Sequence, residues 1–162
     1  SWSWDGKWIY FRSDRSGKHE IWRSPVGGGE CSQVTDNGGT VAFESWDGKT
    51  LYYTKELPAA AAAAARLFAR SLAGGPERQV LGEVTARAFA VVEDGIYYIA
   101  PAGRIGAYSL LFFDLATRKS RVLTGIEGQI AFGLTVSPDR KTFLFSVGRP
   151  VNFDLMLIEN FR

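Results

Sequence analysis

The chain has one cysteine, Cys31, and one histidine, His19, in 162 residues. A single cysteine excludes an internal disulfide framework and says little about redox compartment. One Cys and one His far apart exclude the usual zinc sets, so no metal or cofactor is expected. A Ser-His-Asp triad would have to use His19, and no Gly-x-Ser-x-Gly elbow exists to present a serine to it. No apolar run reaches the ~18 residues of a membrane helix, so no membrane insertion is expected. The formal net charge of +2 is too small to imply direct nucleic acid binding. The chain opens inside a strand pattern, as a fragment or processed chain would, so the missing signal peptide leaves the compartment open. Gly27-Gly28-Gly29 lacks the Lys-Ser/Thr ending and following helix of a phosphate loop.

What is present is a repeat. Ser-Trp-Asp-Gly-Lys occurs at 3–7 and again at 45–49, with related versions at Glu93-Asp94-Gly95 and Ser137-Pro138-Asp139-Arg140-Lys141. Asp5, Asp47, Asp94 and Asp139 therefore recur at intervals of 42, 47 and 45 residues. A period of ~40–45 residues is the mark of β-propeller blades. Each Asp-Gly is flanked by short β-rich runs, such as Trp8–Phe11 and Leu51–Thr54 after it and Thr40–Ser45, Ala86–Val92 and Ala131–Ser137 before it. Asp-Gly supplies the left-handed residue that a tight hairpin needs. Arg140 stands where glycine is expected, and a different turn geometry is predicted there.

The predicted fold is all-β: a propeller of about four blades, each a four-stranded antiparallel sheet, over 1–36, 37–82, 83–125 and 126–162. Unit one offers only the stub Ser1–Ser3 as innermost strand and unit four has no outermost strand. The expectation is half of a seven- or eight-bladed ring. The tract Ala59–Ala65 interrupts unit two and carries no functional reading.

Ser3–Lys7, Ser13-Asp14-Arg15-Ser16-Gly17, Glu20-Ile21-Trp22 and Gly28-Gly29-Glu30 together resemble the WD40-like PD40 repeats of TolB-type propellers. Phe43–Leu51, Gly74–Val80 and Ser137–Lys141 continue the likeness. The ending Asp154–Arg162 is similar to the C-terminus of large bacterial proteins with a winged-helix or kinase domain ahead of such a propeller. The family places Pro before Asp-Gly; Trp4 and Trp46 stand there instead, a swap that fits engineering or a local duplication.

The resemblance implies a fold that hosts scaffolds, lids, sensors and enzymes alike. The function expected is a non-catalytic protein-interaction or sensing module of a larger bacterial protein. Two alternatives are a partial or designed propeller that assembles into a larger ring, and the lid or channel propeller of a hydrolase. The partner expected is a protein or peptide, including a second copy of the chain. Two surfaces are candidates. Loops bearing Arg15, Lys18, His19, Arg104 and Arg149, with Arg12 and Lys55, form a basic rim that would steer an acidic partner. Trp4 and Trp46 should lie together on the opposite rim, as an exposed aromatic patch or as packed corner plugs. For channel chemistry only Glu44 and Arg87 stand on the inner strands. The recurring aspartates are explained by turn formation.

Overall fold

A computed structural model describes residues 1–56, 64–149 and 152–158. Among the described residues there are fourteen strands and no helix. They form four antiparallel sheets in which consecutive strands are neighbours. The first holds β1 (Trp8–Ser13), β2 (Glu20–Pro25) and β3 (Ser32–Gln33). The second holds β4 (Ala42–Glu44), β5 (Thr50–Glu56), β6 (Ala64–Ser71) and β7 (Arg78–Thr85). The third holds β8 (Phe89–Val91), β9 (Gly95–Pro101), β10 (Ala107–Asp114) and β11 (Ser120–Glu127). The fourth holds β12 (Gln129–Val136), β13 (Phe143–Arg149) and β14 (Asn152–Ile158). The meander of each sheet follows from short connections, which join only antiparallel neighbours.

The chain packs as two compact units, Ser1–Gly82 and Glu83–Arg162. In the first, Tyr10 and Ile21 of the first sheet pack with Ala42, Leu51 and Tyr53 of the second. In the second, Tyr97, Ile99, Leu110 and Phe112 of the third sheet pack with Leu134, Phe143 and Phe145 of the fourth. Tyr97 lies 4.8 Å from Phe112 and 4.9 Å, edge-on, from Phe143, centroid to centroid. Successive residues Leu51–Thr54 and Gly95–Ile99 are all buried, so both faces of β5 and of β9 are covered. This is why those runs read as continuous apolar stretches rather than alternating ones.

The predicted stub does pair. Trp2 bridges Ile9, Ser3 N–H donates to Trp8 O, and Tyr10 N–H donates to Ser1 O. Several predicted strands are shorter or shifted: Thr40–Ser45 contracts to β4, Ala86–Val92 to β8, and β7 and β11 run on to Thr85 and Glu127. Arg87 lies in the turn before β8 rather than on a strand. Of the alanine tract, residues 59–63 fall outside the described ones, whereas Ala64 and Ala65 are buried and open β6. They belong to the sheet and not to an interruption of it.

Three of the four repeated turns share one mechanism. The Gly6, Gly48 and Arg140 N–H groups donate to the Ser3, Ser45 and Ser137 carbonyls at 2.8–3.0 Å. The residue in the glycine place is left-handed each time, with φ of 70°, 67° and 60°. Each serine pairs with the residue five positions on, Trp8, Thr50 or Thr142, so the turn lies in a four-residue hairpin loop, a length most often built around such a β-turn. Arg140 therefore keeps the geometry that its side chain disfavours, contrary to the sequence expectation, at a cost of about 1 kcal/mol. Its guanidinium meets Asp94 at 2.7 Å.

The serine and aspartate hold each turn from inside. The Ser3 hydroxyl donates to Asp5 Oδ1 (2.8 Å) and accepts from the Trp8 N–H (2.8 Å); Asp5 Oδ1 also accepts from the Lys7 N–H (3.0 Å). Ser45 and Asp47, and Ser137 and Asp139, repeat the pattern. The Lys7 N–H and the Ser3 hydroxyl lower the Asp5 carboxyl to about 2. Asp47 and Asp139 are lowered by their serines and by the N–H groups of Lys49 and Lys141. A depressed folded pKa stabilises the fold above the unfolded value of about 3.9 and is lost as pH falls through the folded one. For Asp5 that window runs from about 4 down to about 2. A carboxyl-carbon NMR titration is expected to place its midpoint near the lower end; a midpoint near 4 would contradict the turn mechanism.

The third repeat differs. Val92 stands where the serine would, its N–H donates to Gly95 O, and Gly95 is outside the left-handed region. Glycine is required there for space: a Cβ would run into the Phe112 ring and lie 2.5 Å from Phe113 O.

Candidate functional site

Because the first two turns are equivalent in adjacent sheets, their Trp-Asp pairs meet. The Trp4 and Trp46 rings lie 4.3 Å apart, centroid to centroid, inclined at 42°. They are 54% and 51% exposed, so this pair is an open surface patch rather than a corner plug. The Trp4 N–H donates to Glu44 Oε2 at 2.7 Å. Proline has no such donor, which gives a physical reason for its absence at position 4. The pKa shift of the Tyr10 phenol is upward, from burial and from its hydrogen bond to Glu44 Oε1. Glu44 thus ties the Trp4 turn and β1 to the end of β4.

Beside the tryptophans runs a groove of about 280 Å³ lined by Trp4, Asp5, Trp8, Arg23, Asp47 and Leu72, with Glu44 also in its wall. Arg23 and Leu72 continue into a second groove of about 170 Å³ that includes Ser32 and Arg70. The Arg23 guanidinium lies over the Trp8 ring at 4.3 Å and its Nε–H donates to Ser32 Oγ at 3.1 Å. Trp8, Arg23 and Leu72 were not singled out by sequence. The hairpin register would have found two of them: Trp8 pairs with Pro25, two residues from Arg23, so their side chains share a face.

The residues of the predicted basic rim divide between the two units and are engaged locally. Arg15 lies over Phe11 (5.2 Å) and Trp22 (4.8 Å) and donates from Nε to Ser13 Oγ. Lys18 donates to Asp36 O and sits 3.3 Å from the buried Glu20 carboxylate. His19 is exposed, and its carbonyl accepts the Gly39 N–H. Arg104 pairs with Glu127. Arg12 lies 3.8 Å from Glu56, and Lys55 pairs with Glu77, which also accepts from Tyr53. Arg149 is the last residue of β13, opposite Asn152. Most of these charges are met by partners in their own unit.

Among the described residues no group of three or more His, Cys, Asp or Glu side chains is placed to hold a metal ion. Among them, no helix is long and apolar enough to cross a membrane.

The fold class is the β-propeller, here as four blade-like antiparallel sheets. The chain is similar to the crystal structure of TolB from Acinetobacter baumannii, with a TM-score of 0.77 and 15% identity over 98% of this chain and 39% of that one. It is similar to putative TolB from Agrobacterium tumefaciens, with a TM-score of 0.72 and 17% identity over 98% of this chain and 56% of that one. In sequence it is 34% identical over 65 residues to an uncharacterized protein of Agrobacterium fabrum, covering 33% of this chain and 22% of that protein. The chain thus spans less than two thirds of the length of each. No protein-family model matches it.

Proposed function

We propose that this chain is a non-catalytic, PD40-type propeller module of a larger bacterial protein, and that it binds a protein or peptide at the Trp4–Trp46 rim. The observation that carries this reading is the pair of touching, mutually tilted indoles left more than half exposed beside a groove. Exposed aromatics on turns held by a sheet are costly to leave in water and are typical anchors of interfaces. Loops held by stacked sheets present them without an ordering cost. The bacterial setting rests on the Agrobacterium relative and on the likeness to TolB. Absence of catalysis is supported by Glu44, the one carboxylate the sequence puts on an inner strand, being engaged by Tyr10 and the Trp4 N–H.

A photo-crosslinking residue at position 46 tests this. It is expected to yield an adduct with another polypeptide, whereas the same residue at Ile105, a fully exposed apolar side chain outside the rim, yields none. Equal yields at the two positions would contradict the proposal.

A further inference from the structure

We propose that the groove at the Trp4–Trp46 rim takes an arginine side chain of the partner peptide, the guanidinium lying against an indole face and donating to the Asp5 and Asp47 carboxylates. This rests on the reading that the rim binds a protein or peptide.

Three observations carry it. First, the chain already uses this mode twice within the same unit. Arg23 lies over Trp8 and donates at its edge to Ser32. Arg15 lies over Trp22 and donates at its edge to Ser13. Among the described residues no guanidinium or ammonium lies over Trp4 or Trp46, which with Trp2 are the exposed tryptophans and which alone line up with each other beside the groove. Second, the groove wall carries the carboxylates of Asp5, Glu44 and Asp47 against the single guanidinium of Arg23. Both oxygens of Glu44 are engaged, by Tyr10 and by the Trp4 N–H. Asp5 and Asp47 each spend Oδ1 on the turn and keep Oδ2 for an exposed lysine, Lys7 at 3.1 Å and Lys49 at 3.6 Å. Such exposed ion pairs are weak and are readily exchanged for a better donor. Third, tryptophan is the best cation–π acceptor, and guanidinium is the cation that can stack and donate in its own plane at once. Lysine offers a point charge without that fork. Low carboxyl pKa values keep both aspartates charged at any ordinary pH.

The test is an NMR titration of the indole N–H resonances, with those of Trp4 and Trp46 assigned from Trp4→Phe and Trp46→Phe. The probes are acetyl-Gly-Gly-Arg-Gly-Gly-amide and the same peptide with citrulline, lysine or phenylalanine in place of arginine. The arginine peptide is expected to shift both resonances saturably. Citrulline, which keeps the shape without the charge, is expected to bind about tenfold more weakly. The Asp5→Asn/Asp47→Asn protein should weaken the arginine peptide by a similar factor, since asparagine retains the oxygen that holds each turn. The citrulline comparison needs no protein variant and stands if that variant fails to fold. Equal binding of the citrulline and arginine peptides would overturn the inference. A phenylalanine peptide bound as tightly at the same resonances would overturn it while supporting the rim as a peptide surface. Shifts with a neutral oligosaccharide such as cellohexaose, and with no peptide, would overturn both.

Discussion

Replacing Glu20 by alanine is expected to remove about 2–5 kcal/mol of stability from the first unit. Glu20 opens β2 and is fully buried. A buried carboxylate persists only where it is paired and hydrogen-bonded. Here Thr35 Oγ1–H donates to Oε2 at 2.6 Å, and the Gly38 N–H donates to both oxygens at 2.9 and 3.0 Å. Thr35 Oγ1 in turn accepts the Ile21 N–H at 2.8 Å. The carboxylate therefore fastens the loop after β3 across the start of β2. Alanine would leave the buried Thr35 hydroxyl and the Gly38 N–H without an acceptor, each costing about 1–3 kcal/mol. Lys18 is more than half exposed and returns to water. Glu20→Gln keeps the shape but turns a donor toward donors, and should lose about 1–3 kcal/mol. Urea unfolding reads both, as a fall in midpoint at constant slope. An alanine variant within about 1 kcal/mol of the parent would contradict the reading.

Gly95→Ala is expected to cost about 3 kcal/mol in the second unit. The new methyl would occupy the place of the Phe112 ring edge and press on the Phe113 carbonyl. Neither neighbour has room to give. Phe112 is buried against Tyr97 in the core, and Phe113 O belongs to the backbone of β10, which pairs with β9 along seven residues. At Gly6 or Gly48 the same change would act through backbone conformation instead, because their φ values are positive. Thermal unfolding measures the difference. A shift equivalent to less than about 0.5 kcal/mol would mean that the sheet adjusts more freely than its packing implies.

The contrast between these glycines shows how far the sequence reaches. The spacing of Asp5, Asp47, Asp94 and Asp139 counts the sheets because a hairpin turn must recur once per blade. It does not reveal that the third turn works differently, since Val92 in place of serine looks like any strand residue. Arg140 was expected to change its turn, yet the serine and aspartate around it are sufficient to hold a left-handed arginine. Glu20 reads as an ordinary surface charge in sequence; its burial depends on a loop eighteen residues away reaching back over it. The meeting of Trp4 and Trp46 follows from repeat equivalence and was readable. Their exposure was not, because it depends on what else packs at that corner. The groove partners Arg23 and Leu72 come from β2 and from the turn after β6, and only the folded sheets bring them together.

The most direct test of the account is amide hydrogen exchange of the chain, free and with the partner recovered by cross-linking. The account predicts new protection in the turns spanning 3–7 and 45–49 and along Arg23, with the loop carrying Arg15, Lys18 and His19 unchanged. Protection confined to that loop or to Arg104, with the tryptophan turns exchanging as before, would place the partner on the basic rim and contradict it.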